Sequence, residues 1–354
     1  MSRPVSWQQR HRAARRARRI WITKMLIVCL VPLLLLAAVL FWLFKPADAD
    51  GESSSSHSQS DSIVSSSATD VQPLPESGDS ISEPSSAESI DPLADYGSVA
   101  RSEDDLAAGD LIIVNEENAY MVEPEGLVTV ASAKTDDYLA KNNEIQLRDY
   151  VMPYLNEMMA DFRAATGISD VIILSSYRSV AYQQNLYEQD LARTGRDYSD
   201  SVTRPGHSEH HTGLTFDLAY IADDGSWPFY DGEGDYGWIN ENCWKYGFIL
   251  RYPEDKQDVT GIIYEPWHFR FVGQAHAEML TSSGLCYEEY IEMLNDHTID
   301  NPYAFSGESG SWQVYYVPST GSSTEIPVPK DKPYTISGSN EGGFIVTIDV
   351  SKNS

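Results

Sequence analysis

Residues 106–300 are predicted to fold as α+β, a small antiparallel sheet with flanking helices, followed by a short C-terminal β appendage. Two observations carry this expectation. Helix-period and strand-period segments follow one another without the βαβ rhythm that a parallel sheet needs. After residue 300 the chain holds short strand-like runs, "WQVYYVP", "PYTISG" and "GFIVTIDV", separated by Gly, Ser and Pro. Such a small β piece is not expected to be stable alone, so it should pack against the larger domain.

In chain order, "GDLIIVN" near residue 110 reads as a short strand. Ile145 to Thr166 places Tyr150, Val151, Tyr154, Leu155, Met158, Met159 and Phe162 on one helical face. Gly167 stops that helix, and Pro153 must sit in its first turn or kink it. "VIIL", Val171 to Leu174, is a buried strand that leads into "SSYRS". A second helix runs from about Val180 to Arg193, with Ser179 as N-cap and Gly195 as stop. A third, roughly Gly237 to Tyr246, turns Trp238, Ile239 and Trp244 toward a core. "GIIYEPWHFRFVG", Gly261 to Gly273, reads as a strand with Trp267, Phe269 and Phe271 on one face and His268 and Arg270 on the other.

The N-terminal part is different. Residues 1–45 carry seven arginines and two lysines and no acid, and Met25 to Phe44 is a 20-residue run without charge. That run is long enough to span a bilayer, and the arginines before it place the N-terminus in the cytoplasm. "ADA" at Ala47 to Ala49 resembles a signal-peptide cleavage site, but the apolar run is longer than the usual signal core. Either outcome exports the rest of the chain. Residues 45–105 are Ser-rich and acidic, too poor in apolar groups to fold, and so read as a disordered tether. The chain thus divides into a cytoplasmic basic segment (1–24), a transmembrane anchor (25–44), a linker (45–105), a globular domain (106–300) and the β-rich extension (301–354).

The formal charge of −28 understates the acidity of the exported part. Without the nine cations of residues 1–45, 16 Lys and Arg remain against 53 Asp and Glu, a balance of −37. Such a surface repels nucleic acid, which is excluded as a partner. Only Cys243 and Cys286 are exported, too few for a disulfide framework, and both are expected as buried thiols.

"GHSEHHTGLTFDL", Gly206 to Leu218, holds three histidines within five residues and an aspartate further on. A hydrolytic zinc site needs three protein ligands and one position left for water. His210 and Asp217 can supply two: Gly213 permits a turn between them, and strand alternation in "LTFDL" sets Thr215 and Asp217 opposite Leu214, Phe216 and Leu218. His268 is the best third candidate, because Glu265 stands three residues before it. Straight pleating would turn these two to opposite faces, but Pro266 marks a bend that lets both reach one pocket. His207 and His211 read as flanking or solvent-facing residues, and His57, His276 and His297 as ordinary ones.

Together, "SEHHTGLTFD" (S-x-H-x6-D), "EPWHFR" (E-x-x-H), "SSYRS" and "YGFILRYP" resemble the VanY-type D-alanyl-D-alanine carboxypeptidase family, zinc peptidases that trim peptidoglycan stem peptides. The resemblance covers roughly residues 106–300. It implies that His210, Asp217 and His268 bind Zn²⁺, that Glu265 is the catalytic base and that Arg178 receives the substrate's terminal carboxylate. Ser208 and Gln183 match positions that line the substrate pocket. An L,D-carboxypeptidase or a peptidoglycan endopeptidase would need the same metal and base. An inactive wall-binding module would be expected to have lost ligands, and here all are present.

Overall fold

In the computed structural model, residues 95–199 and 202–352 are described. The anchor at 25–44, the basic segment before it and most of the linker lie outside the described residues. No helix among the described residues is long and apolar enough to cross a membrane.

The strands in chain order are β1 (Tyr96–Ser102), β2 (Leu127–Thr129), β3 (Leu139–Ala140), β4 (Gln146–Arg148), β5 (Val171–Ser175), β6 (Thr215–Tyr220), β7 (Phe248–Leu250) and β8 (His268–Phe271). After residue 300 come β9 (Tyr303–Gly307), β10 (Gly310–Pro318), β11 (Ser323–Pro329), β12 (Tyr334–Ser339) and β13 (Gly343–Asp349). The four longer helices are α1 (Met152–Thr166), α2 (Val180–Thr194), α3 (Gln274–Ser283) and α4 (Tyr287–Leu294). The architecture is α+β, as expected. Its central sheet has the order β3-β5-β6-β8-β7, antiparallel except for the β3–β5 pair at one edge.

One face of this sheet is apolar. Leu214, Phe216 and Leu218 before and in β6, with Phe269 and Phe271 in β8, join Leu155, Met158, Met159 and Phe162 of α1 in a single core. Phe216 stacks on Phe269 with ring centroids 5.6 Å apart. Strand alternation therefore sends Thr215, Asp217, His268 and Arg270 to the other face, where the sequence reading placed them. A bulge between Ile173 and Ser175 breaks the β5–β6 register beside that face.

Several boundaries differ from the sequence reading. The helix expected from Ile145 starts at Met152, because Gln146–Arg148 pairs with Leu127–Thr129 as a strand and Pro153 then fits the first helical turn. "GDLIIVN" forms no ladder. Leu111 to Val114 are buried, but the strap is held by side chains: Ser337 Oγ accepts from Leu111 N, and Asn340 bonds both N and O of Ile113. The strand expected over Gly261–Gly273 is confined to His268–Phe271, since the residues before it form a turn at Pro266. The linker expected to reach residue 105 ends earlier, because Tyr96–Ser102 pairs with β11. No local signal marks that strand; its partner lies more than 200 residues away.

The C-terminal extension is larger than three strands. It contributes the sheet β12-β13-β10-β9 and the strand β11. Val314 and Ile345 pack with Ala277, Met279, Tyr290 and Leu294 of α3 and α4, so residue 300 marks no physical break. Cys243 and Cys286 are buried and free, as expected, and burial pushes both thiols up, to about 12 and about 11.

Candidate active site

The polar face of the sheet gathers the residues singled out from sequence. Asp217 and His268 are direct partners in the β6–β8 ladder, and Asp217 Oδ1 lies 2.9 Å from His268 Nδ1. His210 comes from the 3-10 turn Glu209–Thr212, which ends at Gly213 with φ +67°. A Cβ at that glycine would stand 2.9 Å from Leu127, so both conformation and space demand glycine between the two candidate ligands. The turn brings His210 Nε2 to 3.2 Å from Asp217 Oδ2. One ligand atom from each of His210, Asp217 and His268 lies within 4.8 Å of the others, and all three residues are buried.

The donor chemistry fits a zinc ion. Ser176 O can only accept, so His210 Nδ1, 2.7 Å away, carries the proton and Nε2 is left bare toward the cluster. Burial, with the Arg178 charge beside it, pushes the His210 imidazole down to about 4, so it stays neutral as a ligand must. Burial opposes the charge on Asp217, but His210 and His268 overcome it and hold the carboxylate well below its usual range. His268 behaves differently: burial favours the neutral ring, yet Asp217, Glu209 and Glu265 around it push it up to about 9.

Glu265 enters by the turn expected from Pro266. His268 N donates to Glu265 O at 3.1 Å across Pro266 and Trp267, a β-turn with proline at its second position. As a result Glu265 Oε2 stands 3.7 Å from His268 Nδ1, on the same side as the cluster. Burial raises the Glu265 pKa, with Asp217 and Glu209 adding to the effect and His268 and Arg178 opposing it.

Arg178 follows β5 and closes another side. Its Nη2 lies 3.3 Å from Asp217 Oδ2, Nη1 donates to Gln183 Oε1 at 3.2 Å and Nε donates to Ser175 Oγ at 3.2 Å. Gln183 is fully buried and its amide donates to Thr203 O at 2.8 Å, so its carbonyl is free to orient the guanidinium. Ser208 is buried just before the His210 turn.

Among the described residues the other histidines have partners of their own, and His57 lies outside those residues. His211 Nδ1 donates to Arg178 O at 2.7 Å while its Nε2 accepts from Gly206 N at 3.0 Å, which uses both ring nitrogens. His207 Nδ1 donates to Asn115 O at 2.8 Å. His276 bridges Tyr290 and Thr347 far along the chain, and His297 is held near Asn301.

Comparison with known proteins fits this geometry. The family model described as VanY, D-alanyl-D-alanine carboxypeptidase, matches residues 144–274. A D-alanyl-D-alanine carboxypeptidase of Enterococcus faecium is 34% identical over 253 residues, 70% of this chain and 77% of that one. The chain belongs to the VanY family. The bifunctional D-Ala-D-Ala dipeptidase and carboxypeptidase VanXYC of Enterococcus gallinarum is another relative, 37% identical over 150 residues, 41% of this VanY-family chain and 79% of its own. In three dimensions, the crystal structure of the vancomycin resistance D,D-dipeptidase VanXYg, solved with a D-Ala-D-Ala phosphinate analog, matches with a TM-score of 0.64 at 31% identity. That match covers 72% of this chain and 98% of the other.

Sequence reasoning missed one part of the VanY-family site. Glu209, between Ser208 and His210, is fully buried and its Oε1 accepts from Arg251 Nε at 2.8 Å and Arg270 Nη1 at 3.1 Å. Burial resists its charge, but the two guanidiniums hold the carboxyl well below the usual range. Arg251 in turn pairs with Glu288, and Arg270 donates to the carbonyls of Asp110 and Ile112. No local signal marked it: Glu209 stands beside histidines that read as flanking or solvent-facing, and its arginines lie 42 and 61 positions away.

Proposed function

We propose that this protein is a zinc-dependent D,D-carboxypeptidase that removes the terminal D-alanine from peptidoglycan stem peptides. The observation that carries the reading is the convergence of His210, Asp217 and His268 within 4.8 Å, with Glu265 and Arg178 on the same face of the sheet. His210, Asp217 and His268 would hold the ion. When bound, zinc would polarise the scissile carbonyl and make a water acidic enough to react near neutral pH.

The chain's own groups do the rest. Glu265, whose pKa is raised by burial, takes the proton of the attacking water and returns it to the departing amine. Arg178 presents a planar donor fork suited to the terminal carboxylate of the substrate, which selects chain ends over internal bonds. Gln183 and Ser175 fix the plane of that fork. Buried aromatic surroundings, including the Tyr252 ring 4.8 Å from the His268 ring, limit the water that reaches the reacting atoms.

The sequence pattern of residues 1–105 supports placing this activity just outside the membrane, on a tether anchored by residues 25–44. Defined stem peptides test the specificity. Incubation should release one D-alanine from a pentapeptide stem and leave the tetrapeptide intact. Loss of the last residue from the tetrapeptide would instead identify an L,D-carboxypeptidase, and opening of cross-linked dimers an endopeptidase.

A further inference from the structure

We infer that Glu209 is a positioning residue that fixes the tautomer of His268, holding its Nδ1 lone pair toward the metal cluster. The inference rests on the zinc-peptidase reading and adds a residue to it. His268 has Nδ1 on the cluster side, 2.9 Å from Asp217 Oδ1, and Nε2 on the far side, 3.5 Å from Glu209 Oε2. Both His268 Nε2 and Glu209 Oε2 are buried, and among the described residues neither has any hydrogen-bond partner. Two buried polar atoms left open and facing each other form a donor–acceptor pair that a small ring movement closes. A carboxylate can only accept, so Nε2 carries a proton toward Glu209. Without an ion Asp217 Oδ1 accepts at Nδ1 as well, and that Nδ1 proton is the one a bound metal displaces, leaving the Nδ1 lone pair to the metal while Glu209 keeps the proton on Nε2. The arrangement is a carboxylate–histidine–metal relay of the kind that orients metal-bound imidazoles.

Glu209 is itself rigidly placed. Its Oε1 is taken by Arg251 and Arg270, both fully buried, so Oε2 cannot rotate away from the ring. These partners dictate the effect of an amide at this position. In Glu209→Gln the two arginines still require an acceptor and capture the amide oxygen. The amide NH₂ is thereby turned to His268, which must accept at Nε2 and carry its proton on Nδ1. That tautomer presents a proton where a metal needs a lone pair.

The test uses the full-length chain in detergent, labelled with ¹⁵N at histidine, with zinc affinity measured by competition against a chromogenic chelator. In the zinc-loaded wild type, His268 should show a protonated Nε2 and a metal-bound Nδ1, its signals identified by their absence from His268→Gln. Glu209→Gln should weaken zinc about 10- to 100-fold, the usual effect of losing a group behind a metal-bound histidine. Glu288→Gln, which strips a partner from Arg251 without touching His268, should lower the melting temperature and leave zinc affinity unchanged. Metal bound through Nε2 in the wild type would overturn the inference, as would wild-type zinc affinity in folded Glu209→Gln. If that variant does not fold, the wild-type spectrum still decides. Failure of the wild type to take up zinc would sink the zinc reading itself, whereas uptake with an unchanged Glu209→Gln affinity sinks only the role of Glu209.

Discussion

Asp217 and His268 face each other across one rung of the central sheet, and their side chains meet at 2.9 Å. A pair set by ladder register is placed by the fold, before any ion arrives. The wild type should therefore bind one zinc per chain, and His210→Ala, Asp217→Ala and His268→Ala should each lose both metal and activity. His207→Ala, whose ring is engaged with Asn115, should keep both. Metal analysis of the purified variants checks it; a fully loaded His268→Ala would refute the ligand assignment.

Glu265 is predicted to act on protons alone. Glu265→Gln preserves size and hydrogen bonding, so zinc content should match the wild type while turnover falls about 10²- to 10⁴-fold. Steady-state rates alongside metal analysis separate the two. Near-normal turnover would transfer the role of base to another group.

Arg178 is predicted to read the chain end. A charge-assisted hydrogen bond contributes roughly 1.5–3 kcal/mol, or about 10- to 150-fold, so Arg178→Ala should weaken cleavage of a D-Ala-D-Ala peptide by that order. Amidating the peptide's C-terminus removes the same contact from the other partner. The two changes should not multiply, since both delete one interaction. Equal cleavage of acid and amide by the wild type would mean that Arg178 only braces the loop after β5.

A fourth prediction concerns stability, at a distance from the site. His276 is buried between Tyr290 and Thr347, with hydrogen bonds of 2.7 Å to each hydroxyl, and burial pushes its pKa down to about 3. The unfolded chain takes up this proton near pH 6.5, the native protein only near 3. Its contribution is therefore fully present above pH 6.5 and is lost as pH falls from there toward 3, with a slope of up to about 1.4 kcal/mol per pH unit. His276→Gln can keep both hydrogen bonds without titrating. Urea unfolding between pH 7 and 4 should show a shallower acid slope for this variant, by about one proton; identical slopes would exclude His276 as a source of acid sensitivity.

Much of the site was legible because its signals are local. His210, Gly213 and Asp217 lie within eight positions, and Pro266 announced the turn that brings Glu265 beside His268. What was illegible depends on partners remote in sequence. Glu209 meets its arginines across 42 and 61 positions, so its burial could not be told from an exposed acid. Gln146–Arg148 fell inside the expected helix but pairs with β2, and Leu111–Val114 looked like a strand while its backbone is bonded by the side chains of Ser337 and Asn340. In each case tertiary pairing overrode a local preference.

The pairing of β1 with β11 matters for how the protein is made. Ser98 and Pro327 are partners, so the first described strand has nothing to join until almost the entire chain has been synthesised. The strap at Leu111–Val114 waits in the same way for Ser337 and Asn340. Closing loops this long is slow, and it leaves apolar groups such as Leu111 and Ile113, which share a core with Val314 and Ile345, without those partners in the meantime. Completion of this part of the fold is thus deferred until the late strands emerge.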